Sequence, residues 1–375
     1  MKRRSFLQQM LGVSGGLLMK GFPLVEARNR ERTKFWVWMH PHAGWDTSKI
    51  ESTFVQLKKW GVGAVLFLVY NGRKAFYESQ LLPVESQELE RLLPIAQKVG
   101  IELHAWLFSL ICNVESIQKD HQDWYVVNRE GLSILEKQPY VKYYKWLCPS
   151  HKEVQTFLLN VVDELTHFKG LAGIHLDYIR YPDVILPKAL QKKYGIVQDK
   201  EYPQYDYCYC PVCRNAFKAQ SGIDPLKLPD PSQNEAWRLY REKSITSLVN
   251  RAAEKIGKSG KFASAAVFAT PTLARKFVRQ NWPEWNLDAV FPMIYHNAYG
   301  EPIPWIRTAT REGVNALHGK MKLYSGVFVP KLPGADLNKA IAGALSGGAD
   351  GVSFFPLERI PLDSELSEGN LLNKL

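Results

Sequence analysis

Short apolar runs alternate with longer segments of helical periodicity along the chain from about residue 35 onward. Several of the runs are almost continuously apolar, which is typical of parallel strands that are covered on both faces. Glycines at 61–63 and 347–351 mark places where a helix ends and the next strand begins. The predicted strands are Phe35–His40, Ala64–Tyr70, Glu102–Ser109, Gly173–Tyr181, Lys261–Ala269, Ala289–His296, Lys322–Pro330 and Gly351–Glu358.

Helical segments separate these eight strands. Eight strand–helix repeats predict an α/β fold of the (β/α)8 TIM-barrel type, because a doubly wound open sheet seldom needs eight strands. The predicted helices are Thr47–Trp60, Glu85–Val99, His151–Phe168, Asn234–Ile256, Pro271–Gln280, Ile303–Glu312 and Asp336–Leu345.

Two long insertions interrupt the repeat. The first, residues 111–150, follows the third strand, and the second, residues 183–233, follows the fourth. Both begin at the carboxyl end of a strand, where barrels of this kind place their active sites. Residues 31–375 are therefore predicted to form one barrel that includes both insertions.

The first 30 residues have the pattern of an export signal. Lys2, Arg3 and Arg4 precede an apolar, glycine-containing run at 10–19. The arginine pair indicates the twin-arginine type of signal, and the run is too short for a membrane span. We therefore predict an exported protein, periplasmic or extracellular, without a membrane span.

The formal net charge is +11. Removal of residues 1–27, with four basic residues and one acidic residue, would lower it to +8. This moderate positive charge suits an anionic glycan as substrate, and it equally suits simple solubility. Because neither a basic stripe nor a nucleic-acid motif is present, we expect no nucleic-acid partner. The sequence leaves the oligomeric state open.

The fourth predicted strand carries the strongest candidate for catalysis. Alternation places His175, Asp177 and Ile179 on one face and Tyr178 on the face toward the helices. With His175 beneath it and Arg180 at the strand tip, Asp177 is expected to stay ionised. That state suits a nucleophile or an electrostatic stabiliser. The alternative is a structural ion pair between Asp177 and Arg180.

The segment 173–182, Gly-Ile-His-Leu-Asp-Tyr-Ile-Arg-Tyr-Pro, resembles the glycosyl hydrolase-like 10 family, whose barrels are related to the α-amylase superfamily. This resemblance implies a (β/α)8 fold, an extracytoplasmic location and action on a glycan. It also matches Asp177 to the fourth-strand nucleophile of the wider superfamily. Weaker matching segments are residues 36–38, 76–79, 123–124, 128–131 and 146–154.

A glycosidase normally needs a second carboxyl group. Related barrels often carry the acid near the end of the sixth strand, but this chain has no acidic residue there before Glu301. Glu358, at the tip of the eighth strand, is the best remaining candidate, and its alternative role is an ion pair with Arg359 or a lysine. Glu301, Glu115 and Glu78 lie on other loops that we expect at the same mouth.

Polar and aromatic residues at the predicted strand tips are candidates for substrate binding. Aromatic rings there would stack on sugars, and histidine or asparagine would bind hydroxyl groups. The alternative for inward aromatic rings is simple filling of the barrel. The predicted substrate-binding residues are Trp38, His40, Asn71, Trp106, His175, Arg180, Tyr295 and His296.

Three of the five cysteines form a tight cluster, Cys208, Cys210 and Cys213. This spacing suits a structural zinc ion, with a fourth ligand from Cys112, Cys148 or a histidine. A disulfide is the alternative in an oxidising compartment. Catalysis itself is expected to need no cofactor, since three thiolates close a metal site.

Together these observations predict a glycoside hydrolase that acts on an envelope or environmental polysaccharide. A non-catalytic glycan-binding barrel is one alternative, favoured by the missing sixth-strand acid. A metal-dependent amidohydrolase is another, because His40 and His42 have a suitable spacing at the end of the first strand and His296 would fit as a further ligand. The fifth strand, however, contains no histidine.

Overall fold

The computed structural model describes residues 35–360, so the predicted export signal at residues 1–30 lies outside the described residues. Eight parallel strands form a closed barrel in which each strand pairs with the next and the eighth pairs with the first. The predicted (β/α)8 fold is confirmed. The strands are β1 (Phe35–Met39), β2 (Val62–Tyr70), β3 (Glu102–Phe108), β4 (Gly173–Asp177), β5 (Phe262–Phe268), β6 (Ala289–Met293), β7 (Lys322–Phe328) and β8 (Gly351–Phe355).

Each of the seven predicted helices is present, with ends that differ from the prediction by up to five residues. Four further short helices lie in the loops and insertions. The helices are α1 (Thr47–Lys59), α2 (Glu88–Val99), α3 (Glu115–Asp120), α4 (Lys152–Thr166), α5 (Lys188–Lys193), α6 (Pro211–Ser221), α7 (Glu235–Lys258), α8 (Pro271–Val278), α9 (His296–Tyr299), α10 (Trp305–Leu317) and α11 (Ala335–Ser346). Among residues 35–360, none of these helices combines the length and apolarity needed to cross a bilayer.

Local sequence signals fix several helix ends. Asp46 accepts a hydrogen bond from the backbone N–H of Lys49 at the start of α1, and Asn234 caps α7 in the same way. Gly100 ends α2 with a left-handed backbone, φ 77°. These caps satisfy backbone groups that have no partner within the helix.

Seven of the eight strands end earlier than predicted, and β4, β6 and β8 do so by three or four residues, which shapes the mouth of the barrel. β4 ends at Asp177 because Tyr178 has φ 50°, a left-handed conformation that stops the strand. β6 ends at Met293, where Ile294 turns back onto the Pro292 carbonyl. Residues predicted as strand tips, such as Tyr295 and Glu358, therefore lie in loops above the barrel.

Aromatic side chains fill the barrel interior below this mouth. Trp36 packs edge-on against His104, with ring centroids 4.7 Å apart, and against Phe291 at 5.0 Å. Trp38 and Tyr324 belong to the same buried cluster. A second and larger apolar layer packs the outer strand faces against the helices. Because the lower interior is closed, ligands have access at the carboxyl ends of the strands.

Gly173→Ala tests how tightly β3, β4 and β5 approach. A Cβ at Gly173 would lie 2.3 Å from His104 Nδ1 and 2.5 Å from the Phe262 carbonyl oxygen. We expect the free energy of unfolding, measured by denaturant titration, to fall by about 1–3 kcal/mol because the interior cannot absorb the methyl group. The control Gly257→Ala lies in α7 with no atom within 4 Å. It should be neutral or stabilising by up to about 1 kcal/mol. Equal losses in the two variants would contradict this packing argument.

Candidate active site

A cavity of about 300 Å³ opens at the carboxyl ends of the strands. Its walls are largely aromatic, and four of its lining residues carry ionisable imidazole, guanidinium or carboxyl groups. Flat aromatic faces beside a few polar groups are suited to binding sugar rings. The aromatic lining residues are Trp38, Trp106, Phe108, Tyr144, Tyr178, Phe268, Tyr295, Tyr299 and Phe355, and the ionisable ones are His40, Asp177, Arg180 and Asp183.

Asp177 is the last residue of β4 and its side chain faces this cavity. Only 7% of the residue is exposed. Its Oδ2 accepts a hydrogen bond from the Trp106 indole N–H at 3.0 Å, and its Oδ1 accepts one from the Tyr178 backbone N–H at 2.6 Å. The Asp177 carbonyl accepts the Ser109 N–H at 2.7 Å. Both the backbone and the carboxyl group are therefore held in place.

Burial raises the pKa of Asp177 to about 6. The hydrogen bonds from Tyr178 and Trp106, together with the charge of Arg180, lower the pKa and offset part of this effect. The carboxyl group is therefore partly protonated near pH 6, where the sequence predicts full ionisation, because the loss of hydration outweighs its polar contacts. A carboxyl group with such a pKa can give and take a proton close to neutral pH.

Arg180 forms its ion pair with Asp183 and not with Asp177. Its Nη1 lies 2.9 Å from Asp183 Oδ2 and 3.0 Å from the Tyr181 carbonyl oxygen. Burial opposes the charge on Arg180, but the Asp183 carboxylate outweighs it and raises the pKa of the guanidinium. The guanidinium also packs over the Phe268 ring at 4.9 Å. The alternative of a structural ion pair between Asp177 and Arg180 is therefore wrong. Arg180 pairs with Asp183, and both residues line the cavity.

Asp183 is a site residue that the sequence analysis missed. The sequence analysis places Asp183 at the start of the second insertion, beyond the predicted fourth strand, and gives it no part in the active site. The three-residue spacing from Arg180 was the only signal for it, and such spacing is common without function. Asp177 and Asp183 are the two carboxylates among the residues that line the cavity.

His175 lies one layer below Asp177 and is fully buried. Its Nδ1 lies 2.8 Å from Ser264 Oγ, and its ring packs edge-on against Trp38 with centroids 4.6 Å apart. Burial lowers the pKa of His175 well below its usual range, so the ring is neutral at physiological pH. We expected His175 to bind substrate and to orient Asp177. Instead, its ring bonds Ser264 and packs against Trp38 below the cavity, outside the cavity lining.

Glu358 holds two histidines at the end of β1. Its Oε1 accepts the His40 backbone N–H at 2.9 Å and lies 2.9 Å from His42 Nε2, while Oε2 lies 3.3 Å from His40 Nδ1. Burial opposes ionisation of Glu358, but the hydrogen bonds from His40 outweigh it and lower the pKa to about 2. The general-acid role expected of Glu358 does not fit, because such an acid must be protonated near neutral pH. Its partners are these histidines, not Arg359 or a lysine.

The same contacts argue against the amidohydrolase alternative. β1 ends at Met39, and the His42 ring stacks on Trp45 with centroids 4.2 Å apart. Within residues 35–360, the potential metal ligands that converge are four cysteines, and His40, His42 and His296 are not among them.

The other predicted binding residues divide into three groups. Trp38, His40, Trp106, Arg180 and Tyr295 line the cavity as expected. Asn71 lines a neighbouring groove, and His296 is outside the lining of both. The Trp38 indole N–H has no hydrogen-bond partner within the described part of the chain.

Tyr178 links the cavity to the neighbouring groove. The sequence predicts that its side chain faces the helices, but the left-handed backbone reverses the alternation, and Ile179 takes the outer position instead. Tyr178 and Phe108 line both spaces. The groove has a volume of about 730 Å³ and is lined also by Arg73, Lys142, Lys145 and Glu115.

The cysteine cluster of the second insertion gains a fourth member from the first. Cys148 joins Cys208, Cys210 and Cys213, and all four are buried. Every pair of their Sγ atoms lies within 4.8 Å. Cys112 lies apart, 3.8 Å from the Tyr70 hydroxyl. Of the alternatives for the fourth residue, the structure selects Cys148.

The barrel and its aromatic cavity with two carboxylates define a protein of the glycoside hydrolase-like (β/α)8 class. A family model described as "Putative glycosyl hydrolase domain" (DUF4015) matches residues 47–325 of the 375-residue chain. The chain belongs to this family. The match confirms the resemblance to glycosyl hydrolase-like barrels and supports a glycosidase-type hydrolase that acts on carbohydrate.

Solved structures show the same fold at low sequence identity. The PgaB (BpsB) glycoside hydrolase domain of Bordetella bronchiseptica is 12% identical, with a TM-score of 0.69 over 90% of this chain and 97% of that one. The β-amylase catalytic domain of Paenibacillus polymyxa is 12% identical, with a TM-score of 0.58 over 88% and 94%. The α-L-fucosidase isoenzyme 2 of Paenibacillus thiaminolyticus is 13% identical, with a TM-score of 0.58 over 92% and 48%. Comparison with curated protein sequences finds no match.

The raised pKa of Asp177 predicts a pH-dependent stability. Between about pH 4 and pH 6 the unfolded chain loses the Asp177 proton while the folded chain keeps it. The free energy of unfolding of the wild type should therefore fall relative to Asp177→Asn as the pH rises, by up to about 3 kcal/mol, and stay constant above this range. Denaturant titrations of both proteins from pH 3.5 to about pH 7.5 measure this difference. A difference that does not change with pH would contradict the assignment.

Proposed function

We propose that this protein hydrolyses glycosidic bonds within a polysaccharide and that Asp177 transfers the proton to the leaving oxygen. The observation that carries the proposal is the buried carboxyl group of Asp177, whose pKa of about 6 is set inside an aromatic cavity at the end of β4. The family assignment supports this reaction class.

The contacts of Asp177 fit both stages of a proton transfer. With a pKa of about 6, the Asp177 carboxyl group carries the proton in a fraction of the molecules near neutral pH and in most of them at lower pH. Once the proton has moved to the glycosidic oxygen, the N–H groups of Trp106 and Tyr178 stabilise the carboxylate that remains. The same carboxylate can then accept a proton from an incoming water molecule.

Asp183 is our candidate for the second carboxyl group. Its Oδ2 pairs with Arg180 Nη1 at 2.9 Å, and this contact positions the carboxyl group for the role of a nucleophile or a base for water. Its position on the cavity lining fits this role better than Glu358, which is occupied by His40 and His42. In this scheme the Asp183 carboxylate also offsets the charge of Arg180, so the guanidinium repels a positively charged sugar centre less than a free one would.

The two joined spaces indicate a chain-like substrate. The cavity offers stacking faces for one sugar, and the groove beyond Tyr178 offers space for neighbouring units. Arg73, Lys142 and Lys145 outnumber Glu115 along that groove, which favours a polysaccharide with anionic groups. Such a polymer of the cell envelope or the environment would also fit the export signal predicted for residues 1–30.

A glycan-binding protein without activity is the second candidate. β6 contributes no carboxyl group to the cavity lining, where the resemblance to related barrels leads one to expect an acid. The two candidates differ in turnover and not in binding, so both quantities must be measured.

Asp177→Asn should lower kcat by about 10²–10⁴-fold while the affinity for the polysaccharide persists, because the cavity walls are unchanged. Asp183→Asn should also reduce kcat strongly. Release of reducing ends from a panel of neutral and anionic polysaccharides measures turnover, and calorimetry measures binding. The matched control is Glu115→Gln in the groove, which should keep kcat within a few-fold.

Two results would contradict the proposal. Full turnover by Asp177→Asn would remove this residue from the chemistry. Tight binding by the wild type without any release of reducing ends would favour the glycan-binding protein instead.

The pH profile gives an independent test of the role of Asp177. The kcat should fall as the pH rises above about 6, since Asp177 loses its proton there. Trp106→Phe removes the indole N–H that stabilises the carboxylate, so the pKa of Asp177 should rise and the alkaline limb of the profile should move to higher pH. The control is Trp38→Phe, because the Trp38 indole N–H does not bond Asp177. Equal profiles for Trp106→Phe and Trp38→Phe would contradict the assignment.

A further inference from the structure

We propose that Cys148, Cys208, Cys210 and Cys213 together bind one structural Zn²⁺ ion, which joins the two insertions behind the candidate active site. The inference rests on the cysteine geometry and does not depend on the proposed hydrolysis.

The sulfur positions match a tetrahedral site. Cys148 Sγ lies 3.4 Å from Cys213 Sγ and 3.7 Å from Cys210 Sγ, and no pair among the four exceeds 4.8 Å. Four sulfurs about 2.3 Å from one zinc ion lie about 3.8 Å from each other. The four sulfurs therefore surround a single point, whereas two disulfides need only two separate pairs.

Burial adds a chemical argument. Each of the four cysteines is at most 2% exposed. Neutral thiols are weak hydrogen-bond donors and acceptors, so four thiols that face one another satisfy each other poorly. Four buried thiolates without a cation would repel strongly. A Zn²⁺ ion resolves both problems, and its binding releases the thiol protons to solvent.

Two of the four cysteines lie at the amino end of a helix, where negative charge is favoured. Cys210 is the residue that precedes α6, and Cys213 lies in the first turn of this eleven-residue helix. The positive end of the helix dipole favours negative charge at both positions. Because four cysteines fill the coordination sphere, the ion would have a structural role and would not activate water.

The position of the cluster explains what such an ion would hold. Cys148 ends the first insertion, where its N–H donates to the Trp124 carbonyl, and the other three ligands come from the second insertion. The second insertion begins at Asp183, which lines the candidate active site. The site would thus fasten this insertion to the first one.

Two measurements on the purified full-length protein test the proposal. Elemental analysis should give one zinc per chain, and thiol titration in denaturant with a chelator and no reductant should give five free thiols, the four ligands and Cys112. One disulfide would leave three thiols and two would leave one, and either count would overturn the proposal. Five thiols with no zinc, even after zinc is added back, would overturn it as well.

Variants localise the metal. Cys213→Ser should lose at least nine-tenths of the bound zinc, whereas Cys112→Ser should keep it, because Cys112 lies outside the cluster. With Co²⁺ in place of zinc, the wild type and Cys112→Ser should show the visible absorption of tetrahedral cobalt thiolates, and Cys213→Ser should not. Equal zinc in both variants would overturn the assignment. If Cys213→Ser does not fold, the zinc and thiol counts of the wild type decide the question.

Discussion

The Asp177 carboxyl group accepts hydrogen bonds from the Trp106 indole and the Tyr178 backbone while the aromatic cavity keeps most water away from it. Desolvation and hydrogen bonding act in opposite directions on its proton affinity, and desolvation is the stronger. Three neighbouring groups of residues complete the surroundings of this carboxyl group. The His175 layer closes the floor, Arg180 is neutralised by Asp183, and Glu358 is kept apart by two histidines.

The fold follows from the sequence pattern because a parallel barrel repeats one physical unit eight times. Apolar strands, capped helices and glycine-rich helix ends recur in the repeats. A wrongly predicted strand boundary in one repeat therefore does not change the predicted fold. The positions of Trp38, Trp106 and Asp177 at the mouth follow as well, since alternation within β1, β3 and β4 directs them inward. These inferences depend only on local periodicity.

The parts that the sequence could not predict depend on a few backbone angles and on long-range pairing. A tyrosine gives no sign that it will adopt a left-handed conformation, and this one angle moves Tyr178 to the mouth and Ile179 away from it. The contact between Glu358 and His40 joins residues 318 positions apart. Cys148 could be chosen as the fourth cysteine only once the two insertions were placed in space.

Tyr178 has a consequence for how a polymer could be cut. Tyr178 lines both the cavity and the groove, while its own N–H donates to the Asp177 carboxyl group. A chain threaded through both spaces would have to pass this ring at a fixed distance from Asp177. Under the proposed function, this spacing would fix which glycosidic bond of a bound chain lies beside Asp177.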